Sequence, residues 1–109
     1  MKRFVLGLDL VNDATLIAEY EAYHQAVWPE IVASIKESGI ETMEIYRFEN
    51  RLFMIMEVQD DFSFQDKAQR DANNEVVQRW EALMWKYQQA IPGAKEGEKW
   101  VLMDRIFAL

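Results

Sequence analysis

Cysteine is absent from the 109 residues, histidine occurs once, proline twice and glycine four times. Without thiols there is no disulfide, no thiol nucleophile and no Cys-ligated zinc. A single histidine excludes any site that needs several imidazole ligands within one chain. Basic residues are the minority, 12 Lys and Arg against 19 Asp and Glu, for a net charge of -7. Such a chain lacks the electrostatic footprint that nucleic acid or an anionic membrane surface requires. No apolar run approaches the ~20 residues of a membrane span. The opening Met1-Lys2-Arg3-Phe4-Val5 is basic, but Asp9 and Asn12 break the apolar stretch a secretory leader needs, so a cytoplasmic setting is expected. There is no phosphate-binding glycine loop, no HExxH helix and no EF-hand pattern.

What is present is a core. Half of the residues are hydrophobic and 13% are aromatic, which excludes a disordered or low-complexity chain. The length suits one domain over residues 1–109, with no repeat and no linker. Phe4 to Leu10 reads as a strand with Phe4, Leu6 and Leu8 on one face; Gly7, on the other, marks a bulge or a close approach. Asn12 or Asp13 caps a helix carrying Leu16, Ile17, Tyr20, His24 and Val27. Trp28-Pro29 breaks it and starts a second piece that Gly39 ends. Glu41–Phe48 and Leu52–Val58 read as strands joined at Asn50-Arg51, and the second is apolar enough to be central and covered on both faces. Asp60-Asp61 is expected to cap a short helix. Asn73 or Asn74 caps a longer one with the stripe Val76, Val77, Trp80, Leu83, Met84 and Tyr87. A final strand is expected over Trp100–Phe107.

The order β-α-β-β-α-β is the ferredoxin-like pattern, an α+β fold with a four-stranded antiparallel sheet and helices on one face. Those helices cover one face only, whereas the strands are apolar on both. The economical cover for the second face is the same face of another copy, so a homodimer is expected.

Chemistry has few candidates. His24 is the only side chain whose ordinary pKa lies near neutrality, and Tyr20 stands one turn earlier on the same face. The plain alternative is a helix-end histidine satisfied by a backbone carbonyl. Trp28, Trp80, Trp85 and Trp100 offer aromatic faces for a sugar or planar ligand, or serve as core. Glu30, Glu44, Glu57 and Glu81 lie in or beside ordered elements and read first as solvated charges.

The string Tyr20-x-x-x-His24-x-x-x-Trp28-Pro29-Glu30 resembles the L-rhamnose mutarotase family. So do Glu44-Ile45-Tyr46 with Leu52-Phe53-Met54, and Val77-Gln78-Arg79-Trp80. The similarity runs over essentially the whole chain. It implies a dimeric α+β barrel and a mutarotase that interconverts the α and β anomers of a 6-deoxy aldopyranose such as L-rhamnose, with no cofactor and no metal. It also implies roles: His24 the proton donor, Tyr20 a substrate contact, and Trp80 the first of two adjacent pocket tryptophans. The second tryptophan is Glu81 here, and a further pocket tyrosine is Met43. These two departures open the site to L-fucose or another aldose. Two other functions fit the same fold: a cofactor-free monooxygenase acting on flat aromatics, and a sugar-binding module without catalysis.

Overall fold

The computed structural model describes residues 1–109. In chain order it contains β1 (Lys2–Leu10), α1 (Ala14–Gln25), α2 (Pro29–Glu37), β2 (Ile40–Phe48), β3 (Arg51–Val58), α3 (Phe64–Ala72), α4 (Glu75–Trp85), β4 (Gln88–Gln89) and β5 (Val101–Leu102). The sheet order is β2-β3-β1-β4, with β5 also on β1, and all pairings are antiparallel. The expected ferredoxin-like α+β architecture is therefore present.

Local chemistry sets most boundaries. Asp13 caps α1 by accepting from Leu16 N at 3.0 Å, and Asn74 caps α4 by accepting from Val76 and Val77. Pro29 occupies the first turn of α2, and Gly39 takes φ +97° after its end, the left-handed conformation glycine adopts without a Cβ clash. The cap of α3 differs from expectation. Ser63, not Asp60-Asp61, accepts from Asp66 N at 3.2 Å, because a turn closed by Phe62 N donating to Gln59 O intervenes. That turn lets Phe62 and Phe64 both meet Phe4, with ring centroids 6.4 and 4.9 Å away.

The end of the chain also differs. Only Val101–Leu102 of the expected Trp100–Phe107 strand pairs with β1. Asp9 pairs with Gln89 and Gly7 with Val101, so β4 and β5 are halves of one edge strand, and ten residues are looped out where β1 advances by two. After Met103, whose N–H donates to Val5 O, the backbone finds no strand partner. Gly7 resolves as a close approach: a Cβ there would lie 2.5 Å from the Met103 Cε that folds over it.

β3 is central, but only alternate residues (Leu52, Met54, Met56 and Val58) are buried, against the helices. Its other face is half-open, contrary to the expectation of cover on both sides. The core on the helix side is split in two. One cluster gathers Leu10, Tyr20, Ile31, Leu52, Val77, Trp80, Met84 and Tyr87, the other Leu6, Ile40, Met54, Met56 and Val58. Small domains usually build one contiguous core. Here a cavity occupies the middle.

Candidate active site

That cavity, about 380 Å³, is lined by members of both clusters and by Ile35, Ile45 and Trp100, which touch each of them. All five residues singled out from the sequence border it: Tyr20, His24, Met43, Trp80 and Glu81. They arrive from three elements. Tyr20 and His24 come from the last two turns of α1, Met43 from β2, and Trp80 with Glu81 from the middle of α4.

His24 combines both of its sequence readings. Its Nδ1 lies 2.8 Å from the Tyr20 carbonyl oxygen. A carbonyl only accepts, so Nδ1 carries the hydrogen, and in the neutral ring Nε2 holds the free lone pair. Nε2 has no hydrogen-bond partner in the protein. The Tyr20 ring lies 4.4 Å from the imidazole at 36°, and the Trp80 indole stands 5.7 Å away at 66°. Trp28 backs Trp80 edge-on at 5.0 Å, and Tyr23 meets it at 6.4 Å. Aromatic packing thus fixes the indole without filling the space beside His24.

Burial raises the Tyr20 phenol above its ordinary value, and a hydrogen bond from the Gln88 side chain opposes this. Tyr20 is therefore a neutral donor at physiological pH. Half-buried Glu81 follows Trp80 around α4 and reaches the cavity as well. Outside His24 a second depression, lined by Glu21, Gln25, Tyr46 and Arg47, shares Tyr20, His24 and Met43 with the first. Arg47 spans it by pairing with Glu21.

The loop between β4 and β5 delivers Trp100, one of the four tryptophans that the sequence offered, and with it Lys99. Lys99 carried no signal in the sequence, nor did Lys67, Asp71 or Gln88. The Lys99 ammonium rests 4.5 Å above the Trp85 ring and donates to Glu81 O at 3.4 Å; burial lowers its pKa, against the pull of Glu81. Lys67 and Asp71, paired at 2.5 Å, border the cavity from α3. Gln88 closes it from β4. Of the four tryptophans only Trp80 and Trp100 line it; Trp85 lies outside, beneath Lys99. Glu30 and Glu44 are exposed on the surface.

A ferredoxin-like sheet with an imidazole, a buried phenol, an indole and a carboxylate around one cavity defines a small-molecule enzyme equipped for proton transfer rather than a macromolecule binder. The family model for L-rhamnose mutarotase matches residues 3–109. An L-fucose mutarotase of Xanthomonas campestris pv. campestris is 50% identical over 111 residues, which covers 100% of this chain and 89% of that protein. An L-rhamnose mutarotase of Bacteroides thetaiotaomicron is 35% identical over 72 residues, 64% of this chain and 62% of that protein. Among solved structures, an L-rhamnose mutarotase from Formosa agariphila superposes with a TM-score of 0.74 at 22% identity, covering 100% and 99% of the two chains. Tetracenomycin F2 cyclase from Streptomyces glaucescens shares the fold at TM-score 0.64 and 17% identity, covering 100% and 97%. The chain belongs to the L-rhamnose mutarotase family. It is an enzyme of the isomerase class.

Proposed function

We propose that the enzyme interconverts the α and β anomers of a 6-deoxy aldohexose, with L-fucose preferred over L-rhamnose, and that residues 1–109 act as one domain. The observation that carries the chemistry is the locked tautomer of His24 beside Trp80 in one cavity. Neutral Nε2 takes the proton from the anomeric hydroxyl. A donor protonates the ring oxygen as the C1–O5 bond breaks. The freed aldehyde rotates about C1–C2, and O5 adds to its other face while the protons return. One placed acid–base group supplies about 10²–10⁴-fold. Tyr20 suits the donor's part, because its neutral phenol borders the cavity beside the imidazole. Trp80 offers an apolar wall for a sugar face, and Glu81 an acceptor for sugar hydroxyls.

The preference for L-fucose rests on the relative that is 50% identical over the full chain. It also rests on the departures at Glu81 and Met43 from the aromatic pocket of the rhamnose enzymes. The working unit on this reading is a homodimer joined by the open sheet face. Cross-strand rows there present Val5 with Ile55 and Glu44, and Tyr46 with Phe53 and Gly7. Tyr46 is 53% and Phe48 75% exposed, a poor arrangement for a lone chain. Saturation-transfer NMR tests the activity: the enzyme should speed anomer exchange of L-fucose more than of L-rhamnose. Exchange of both at the uncatalysed rate would remove the proposal.

A further inference from the structure

Gln88 is the one residue of the cavity wall with a fully buried side-chain polar atom that lacks a hydrogen-bond partner. Its backbone is fixed in the sheet, paired with Leu10 across the β1–β4 ladder. Its side chain turns to the helix layer, as that of Leu10 does, and is 8% exposed. There it borders the cavity beside Tyr20. Its Oε1 is buried and has no partner, the sole side-chain atom of the protein in that condition. A buried acceptor without a donor bears the full desolvation cost of that group, and native chains keep such a group where something else completes it. A chain selected for stability alone would place methionine or leucine here, in line with Met84 and Leu10 around it.

The geometry points to Gln88 as a specificity-determining, substrate-binding residue: its side-chain oxygen accepts a hydrogen bond from one hydroxyl of the bound pyranose. This deepens the proposed function and rests on its premise that the cavity holds a sugar. A hydroxyl is the fitting complement, since it donates to the amide oxygen and can accept from Lys99 or Tyr20 across the same space. A site built to pair a hydroxyl rejects the analogue that lacks it, because the protein group is then stranded. Neither α4 nor α1 supplies this contact. It comes from the two-residue strand that the chain forms before leaving the sheet.

Gln88→Met tests the assignment, being close in shape and carrying neither donor nor acceptor. KM for the preferred sugar should rise about tenfold, the size of one neutral hydrogen bond. The melting temperature of the ligand-free protein should hold, because relief of the stranded acceptor offsets the lost hydrogen bond to the Tyr20 phenol. In a set of monodeoxy sugars, one analogue should lose the same factor with the natural enzyme and nothing further with the variant. A purely structural or water-holding glutamine gives a different pattern: a lower melting temperature, or equal weakening for every sugar, or an unchanged KM. Any of these overturns the assignment. Tryptophan fluorescence titration with L-fucose separates the two claims. If the natural protein binds sugar without speeding exchange, the mutarotase reading falls, and the binding constant of Gln88→Met decides the glutamine. If it binds no sugar, both fall.

Discussion

The imidazole of His24 and the indole of Trp80, carried by different helices, stand 5.7 Å apart at 66° on the wall of one cavity. Neither ring is placed by the other. His24 is turned by its hydrogen bond to Tyr20 O, and Trp80 is braced by Trp28 and Tyr23. The pair is thus preorganised before any ligand arrives, which is where positioning groups gain most. His24→Asn keeps an N–H able to reach Tyr20 O and removes the second nitrogen. Anomer exchange at saturating sugar should fall about 10²–10⁴-fold, with the melting temperature little changed. A variant exchanging sugar at the natural rate would exclude His24 as the acid–base group.

Tyr20 is expected to act as a donor, so its loss should show in kcat rather than KM. Tyr20→Phe should lower kcat about 10²-fold. The pH profile adds a signed test. The phenol's pKa is raised, chiefly by burial, so activity that depends on its proton should persist beyond pH 10.0 before declining. A decline set by Tyr20 below that value would contradict the burial seen here.

Glu81 stands where the resemblance to the rhamnose enzymes calls for tryptophan. Exchanging a hydrogen-bond acceptor for an apolar wall should favour the sugar that the aromatic pocket suits. Glu81→Trp should move the ratio of kcat/KM toward L-rhamnose over L-fucose by about tenfold. Parallel NMR exchange assays on the two sugars give that ratio directly. No change in the ratio would place Glu81 outside the recognition set.

The parts legible in the sequence are those that local chemistry decides. Asp13, Pro29, Gly39 and Asn74 announce helix ends because each satisfies or interrupts backbone hydrogen bonding on its own. Tyr20 and His24 share a face by helical spacing, and Trp80 sits on an apolar stripe, so their convergence follows once the helices pack on one face of the sheet. Gln88 and Lys99 were not legible, and Trp100 stood out only as one of four tryptophans that could serve ligand or core. Gln88 directly follows the last stripe residue, Tyr87, and reads as a continuation of the helix. Lys99 and Trp100 reach the cavity only because the edge strand is interrupted, an event that depends on pairing with β1 and leaves no periodic trace. The Asp60-Asp61 cap failed for a similar reason: the position of Phe4, distant in sequence, decides where the chain must turn.

Stability should fall in strong alkali through the buried tyrosines. Tyr87 is 1% exposed, and its hydroxyl donates to Glu19 Oε1 at 3.0 Å. Burial first, then the hydrogen bond and charge of Glu19, push its pKa up from 10.0 to about 12. The folded state therefore holds a proton that the unfolded chain releases between those values. The stabilisation is complete below pH 10.0 and is lost as pH climbs toward about 12. Tyr20, shifted in the same direction, adds to the slope. Tyr87→Phe should show a shallower fall of melting temperature with pH across that window. An identical slope would mean that Tyr87 ionises as freely in the folded chain as in the unfolded one.

The open sheet face carries the remaining prediction. Its one buried charge is already paired: at the end of the β1–β3 ladder Arg51 grips Asp9 with two hydrogen bonds, at 2.8 and 3.1 Å. The guanidinium pKa is raised by that carboxylate, so the arginine stays cationic beside it. A paired charge can be covered by another surface at far less cost than a lone one. Around it Phe48, Tyr46, Phe53 and Ile55 present apolar area. Two such faces related by a twofold axis would bury these groups against their own copies. Tyr46→Glu combined with Phe48→Glu sets like charges on both sides of that junction, so dimer dissociation should strengthen by about a hundredfold or more. Sedimentation equilibrium should find the natural protein dimeric and the double variant monomeric, with circular dichroism unchanged. A natural protein that sediments as a monomer at micromolar concentration would mean that the open face serves some purpose other than self-association.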